Sequence, residues 1–179
     1  SLFLATYVQT GNPEYWLSFK QAIKIPIGDN LARTSLSNKG NDQLAIDGFL
    51  MGKNHQDDIP DMIWIFKTFH NVSFMKKAIG IWADTEPVIN DLAATGEKLH
   101  DAIEEKKITD STKLSSIQAI SLISAKLSIK QSAFSEVLGN TARDLNRYLL
   151  LANVIAILIM LGLFTRSTLG MINSISGFE

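Results

Sequence analysis

Cysteine is missing from this chain, which removes disulfide frameworks and every zinc site built on thiolates. Arginine is scarce: the four stand at 33, 143, 147 and 166, and Arg33 is the single one before residue 142. With a net charge of −1 and no basic stripe, no nucleic-acid partner is expected. Only four prolines are present and none follows Pro87, so no residue of that kind breaks a helix in the second half of the chain. Sustained alternation of β-branched and polar residues is lacking throughout, which excludes a sheet protein and predicts an all-α fold. There is no GxGxxG, P-loop, HExxH, EF-hand or GxSxG pattern. An enzyme is therefore not expected, and no cofactor is called for.

What the chain does contain is apolar residues, 46% over 179 positions, enough for one domain with a substantial core and an addition. The addition is "LLLANVIAILIMLGLF", residues 149–164, with Asn153 its single polar member. Extended to 148–169 it reaches about 20 residues, roughly 30 Å as a helix, the thickness of a hydrocarbon core. Arg147 and Arg166 bracket it, and Tyr148 suits an interfacial position. A transmembrane helix is expected here, although Arg143 and Arg147 against Arg166 mark its orientation poorly. The alternative is a buried core helix, which would carry charges every few residues.

The opening "SLFLATYVQ", residues 1–9, is short and apolar and is expected to be the end of a first membrane helix. Residues 10–147 then form an extracytoplasmic helical domain, 148–169 the span, and 170–179 the start of a cytoplasmic linker. The chain opens on Ser1 and closes on "SISGFE", which reads as a piece of a longer protein.

Within the domain, Asn12, Pro13 and Glu14 start a helix that Pro26 and Gly28 should stop. Asp29 should cap a short helix to Leu36, and another is expected from Asp42 to Met51. A helix beginning near Asp58 runs to His70, with Ser73 the expected cap of the next. Apolar positions at 74, 78, 81, 88, 92 and 99 trace a stripe on a long helix, with a kink or short break near Pro87. From Asp110 a second long helix carries apolar residues at 114, 117, 120, 123, 127, 134, 138 and 145, and no signal stops it before the span. The expected fold is a helical bundle of two long antiparallel helices plus short ones. Residues 120, 127, 134 and 148 keep a seven-residue spacing, a candidate seam for a homodimer that could equally pack inside one subunit.

Polar chemistry is densest in "GKNHQDDIP", residues 52–60. Asp58, Pro60 and Asp61 are explained as a helix start, with acid at the positive end of the helix dipole. Asn54, His55 and Asp57 are left over and are candidate ligand-binding residues. Arg33, a natural clamp for a carboxylate or phosphate, and Trp64, as a pocket wall, join them. His55 with Asp57 and Asp58 is too small a set to be assigned a metal, with His70 only a conceivable partner. Trp16 and Trp82 could line a pocket as well but at helical spacing are read as core, and His100 as a helix-surface residue.

"YVQTGNPEYWLSFKQAIKIPIGDNLAR", "GFLMGKNHQDDIPDMIWIFKTF" and the long helix into a span resemble the sensor region of bacterial membrane signalling proteins. In that family a helical extracytoplasmic domain, flanked by membrane helices, precedes cytoplasmic GGDEF and EAL or histidine kinase modules. The resemblance covers about the whole chain. It implies a signal-input module in the cytoplasmic membrane, periplasmic on its sensing side, with a small ligand or a periplasmic protein as partner. It also marks Gly52, Asn54, His55, Asp57, Asp58 and Pro60 as a family feature. A membrane-anchored helical adaptor is the alternative, and a metal-dependent enzyme on His55, Asp57 and Asp58 a further one.

Overall fold

The computed structural model describes the backbone of residues 1–176 and the side-chain surroundings of residues 1–161 and Phe164. Among these residues the chain is all-α. The helices are α1 (Leu2–Thr10), α2 (Pro13–Ser37), α3 (Asp42–Met51), a 3-10 turn (Gln56–Asp58), α4 (Ile59–Phe69), α5 (Ser73–Ala83), α6 (Glu86–Glu104) and α7 (Asp110–Ser176). Residues Ser1–Val137 form one compact unit and those from Leu138 onward a second.

The local starts follow simple chemistry. The Asn12 side chain accepts from the Glu14 backbone N–H, with Pro13 in the first turn of α2. Asn41 caps α3 in the same way through Gln43. Gly11, at φ 67°, closes α1 in the left-handed conformation that costs glycine little. Three expected caps differ. Asp29 lies inside α2 and caps no helix. Asp58 occupies the position before α4 but makes no side-chain capping bond, because its backbone is already helical as the last residue of the 3-10 turn. Ser73 is the first residue of α5 rather than its cap, which is Val72.

The largest departure from the sequence reading is α2. Pro26 and Gly28 do not stop it; both lie inside one helix of 25 residues. Burial supplies the reason. Trp16, Phe19 and Ile23 pack into one core cluster, with Leu4, Tyr7, Val8, Ile89, Leu92, Leu99, Ile120 and Ile123. Ala32 and Leu36 pack into another, with Ala45, Phe49, Ile59, Ile63 and Phe66. Each large side chain among these contributes about 2 kcal/mol when fully buried, which offsets the roughly 3 kcal/mol penalty of an interior proline.

Gly28 lies at a close backbone contact. Any Cβ there would stand 2.6 Å from the Gly48 carbonyl and 2.6 Å from the Gly52 nitrogen. A Cβ on Gly48 would meet the Ala32 nitrogen at 2.6 Å. The pairs Gly28/Ala32 and Gly48/Gly52, each four apart, thus let the α2 and α3 backbones touch, the small-residue spacing that permits close helix approach.

The stripe from residue 74 to 103 is divided between α5 and α6, the break falling at Asp84 and Thr85, where one was anticipated. After the turn at Lys106, which takes φ 53°, α7 runs back along α6. Ile117 and Ile120 join the cluster of Leu99, while Lys130 reaches Asp84 and Phe134 meets Trp82 edge-on. The two helices are therefore antiparallel. Three positions of the candidate seam turn inward: Ile120 is buried, Leu127 packs on the first cluster, and Phe134 lies against Trp82, while the fourth, Tyr148, is exposed. Leu114, Leu122 and Ile129 are the exposed apolar residues on that part of α7.

Helix α1 carries the stretch expected to end a first span. Its Leu4, Tyr7 and Val8 are fully buried in the first cluster. Among the described residues one helix, α7, is long and apolar enough to cross a membrane, and Gly139 does not end it. Tyr148–Leu151 and Ile157–Leu161 are all exposed there. The side chains of the expected linker at 170–179 lie outside the described residues.

Candidate functional site

A cavity of about 580 Å³ opens in the Ser1–Val137 unit, between the two core clusters. Phe19, Ile23, Ile89 and Leu92 come from the first cluster, and Phe49, Met62 and Trp82 from the second. Ala22 and Pro26 of α2, Ile81 of α5, and Leu127 and Phe134 of α7 complete the apolar wall. The polar members are Ser1, Asp29, Asn54, Thr85, Lys130 and Gln131. Size and lining are those of a small-molecule site: mostly apolar, with a few fixed polar groups.

Two departures from regular packing shape it. Pro26 has no N–H, so the Ala22 carbonyl loses the donor an α-helix would give it, and both residues are in the wall. Gly96 of α6 leaves room for Phe19: a Cβ there would sit 2.4 Å from the ring.

Asp29 is held by the end of α3. The Lys53 N–H donates to the Leu50 carbonyl and the Asn54 N–H to the Phe49 carbonyl, both at 3.0 Å. This is a Schellman closure with Lys53, at φ 60°, in the left-handed position. It aims the Asn54 amide at Asp29 Oδ1, 2.9 Å away, and at the Phe49 carbonyl, 3.0 Å away. Gly52 makes room, since a Cβ there would lie 2.1 Å from Asp29 Oδ1. Burial raises the pKa of the Asp29 carboxyl above the ordinary aspartate value, and the bond from Asn54 opposes this in part.

The candidate residues from the sequence do not converge. Asn54 is in the cavity wall. His55 and Asp57, its neighbours, are outside: His55 Nδ1 accepts from the Asp57 N–H at 3.3 Å, and their side chains are 71% and 86% exposed. His55 is thus the cap of the 3-10 turn. Arg33 is buried and pairs with Glu86 at the start of α6, with a second bond to Thr34 Oγ1 at 3.1 Å. It ties α2 to α6 and is not in the wall. Trp64 is 60% exposed and packs edge-on against Phe69 on the surface of α4. Asp58, Pro60 and Asp61 are exposed at the start of α4. Among the described residues no group of three His, Asp or Glu side chains stands where it could hold a metal ion.

His100 is not a plain surface residue. Its ring stacks on Trp16 at 4.2 Å, and Tyr7 Oη lies 2.7 Å from its Nδ1. Burial, with the nearby Glu104 carboxylate, pushes the Tyr7 phenol above its ordinary pKa.

Asp29 is the residue that sequence reading missed, having been taken for a helix cap. A signal was present: Ala22, Pro26 and Asp29 recur at helical spacing, placing a carboxylate on an apolar face. The small-residue pairs four apart, Gly28/Ala32 and Gly48/Gly52, also announced the close crossing that brings Asn54 to it. No protein-family model, curated protein or solved structure matches the chain.

Proposed function

We propose that this chain is the signal-input module of a membrane-bound bacterial signalling protein and that the cavity receives its signal. One observation carries the reading. Helix α7, which contributes Leu127, Lys130, Gln131 and Phe134 to the cavity wall, is also the helix with the span-length apolar run. A ligand that binds one packing of that wall better than another biases the helix it touches. The Ser1–Val137 unit would stand outside the cytoplasmic membrane, and the response would pass to a cytoplasmic module beyond residue 179. Pairing of two copies belongs to this reading. Because residues 120, 127 and 134 face their own unit, the contact would use Leu114, Leu122 and Ile129.

The test is a fusion of the full chain to a histidine kinase output. Ala22→Phe fills the cavity, and its expected effect is to lock the output at one level regardless of added ligand. An output indistinguishable from that of the unmodified fusion, with the variant folded and inserted, would count against the proposal.

A second reading is a membrane-anchored adaptor for another protein. The exposed apolar residues Trp64, Ile65, Phe69 and Val72 favour it. The metal-dependent enzyme on His55, Asp57 and Asp58 gains no such support.

A further inference from the structure

We propose that the cavity's ligand is an organic cation, an ammonium group carried on an apolar body. The inference rests on the cavity being the ligand site of the sensor reading above, and it names the chemistry of that ligand.

The carboxyl of Asp29 is half-buried in a wall that is otherwise mostly apolar. An ionised carboxylate offers about four lone-pair positions. Asn54 fills one of them, at Oδ1. No arginine or lysine is paired with Asp29 among the described residues, and the lysine of the wall, Lys130, is held at 3.0 Å by Asp84. The raised pKa of Asp29 has burial as its main cause, which is the condition of an acid that lacks a counter-charge.

Aromatic surface is the second observation. Phe19, Phe49, Trp82 and Phe134 all line the same cavity. Aromatic rings attract a cation as well as covering an apolar body. A carboxylate and four rings in one cavity therefore select an ammonium over a hydroxyl and reject a carboxylate ligand.

The experiment is calorimetric titration of the full chain in phosphatidylcholine nanodiscs, with empty nanodiscs as the blank. Phenylbutylamine, phenylbutanol and phenylbutyrate share one body and differ in the polar group. The amine is expected to bind about ten-fold or more tighter than the other two, the scale of a charge-assisted hydrogen bond. Asp29→Asn, which keeps an acceptor for Asn54, should erase that preference, while Asp61→Asn, at an exposed carboxylate outside the cavity, should leave it. If the alcohol binds as tightly as the amine, the cation assignment falls and the cavity survives as a ligand site. Tightest binding of the acid would overturn the assignment in favour of Lys130. Failure of all three probes to bind also overturns it, and the Ala22→Phe fusion then decides separately whether the sensor reading stands.

Discussion

The side-chain amide of Asn54 donates to Asp29 Oδ1 at 2.9 Å, joining the end of α3 to the middle of α2. Twenty-five residues separate them in sequence. They meet because Gly28, Gly48 and Gly52 let two backbones touch. The bond puts a half-buried carboxyl on the wall of an apolar cavity, and its titration is a measurable consequence.

Asp29 has a raised pKa in the folded chain against 3.8 for the ordinary group. Between the two values the folded chain holds a proton that the unfolded chain has released. Stability therefore falls as pH rises through that window, and the loss is complete above the folded pKa. Asp29→Asn cannot titrate. The melting temperature of wild type minus that of the variant should fall as pH is raised from about 3.8 toward neutrality. A flat difference would show that burial does not shift this acid.

The glycines of the crossing and those elsewhere should respond oppositely to alanine. Gly48→Ala drives a methyl into the Ala32 backbone, 2.6 Å away, and should cost about 3 kcal/mol. Gly80→Ala meets nothing within 4 Å and should gain roughly 1 kcal/mol from helix propensity. Urea denaturation of the two variants checks the contrast.

Arg33 is buried and Glu86 is its partner. Glu86→Gln strands the guanidinium and should cost about 2 kcal/mol, below the range for fully buried pairs because the Glu86 side chain is 40% exposed. Arg33→Met leaves a carboxylate that water can reach and should cost less. Equal losses in chemical denaturation would mean that the pair matters only as packing.

Tyr7 and His100 share a 2.7 Å hydrogen bond between α1 and α6. Tyr7→Phe should cost about 1 kcal/mol, and His100→Ala about 2 kcal/mol, since it leaves a buried hydroxyl without that partner. A double-mutant cycle should return a coupling of about 1 kcal/mol. Additive losses would assign His100 to stacking on Trp16 alone.

Transmission along α7 has its own test. Proline at Leu138 or Leu145 removes a helical hydrogen bond and clashes with the preceding turn. Either change should uncouple output from ligand in the kinase fusion while leaving membrane insertion intact. A response that survives both would show that a continuous helix is not the carrier.

The chain's own residues decided its class and much of its layout. Absence of β alternation settled the all-α character. The runs from Asp42 and Asp110, the break near Pro87 and the apolar stretch from Leu149 were all visible, because helical period and helix starts are local properties. Local rules failed where burial outweighed them. Pro26 and Gly28 look like a stop, yet α2 passes through both, since its two halves are anchored in two different core clusters. "GKNHQDDIP" was legible as dense polar chemistry but not as a division. A left-handed turn at Lys53 sends Asn54 inward, and the 3-10 turn keeps His55 and Asp57 in solvent. The cavity itself was decided by tertiary structure alone. Its wall draws on residues from Phe19 to Phe134, and nothing in a local pattern states which distant side chains will leave a space between them.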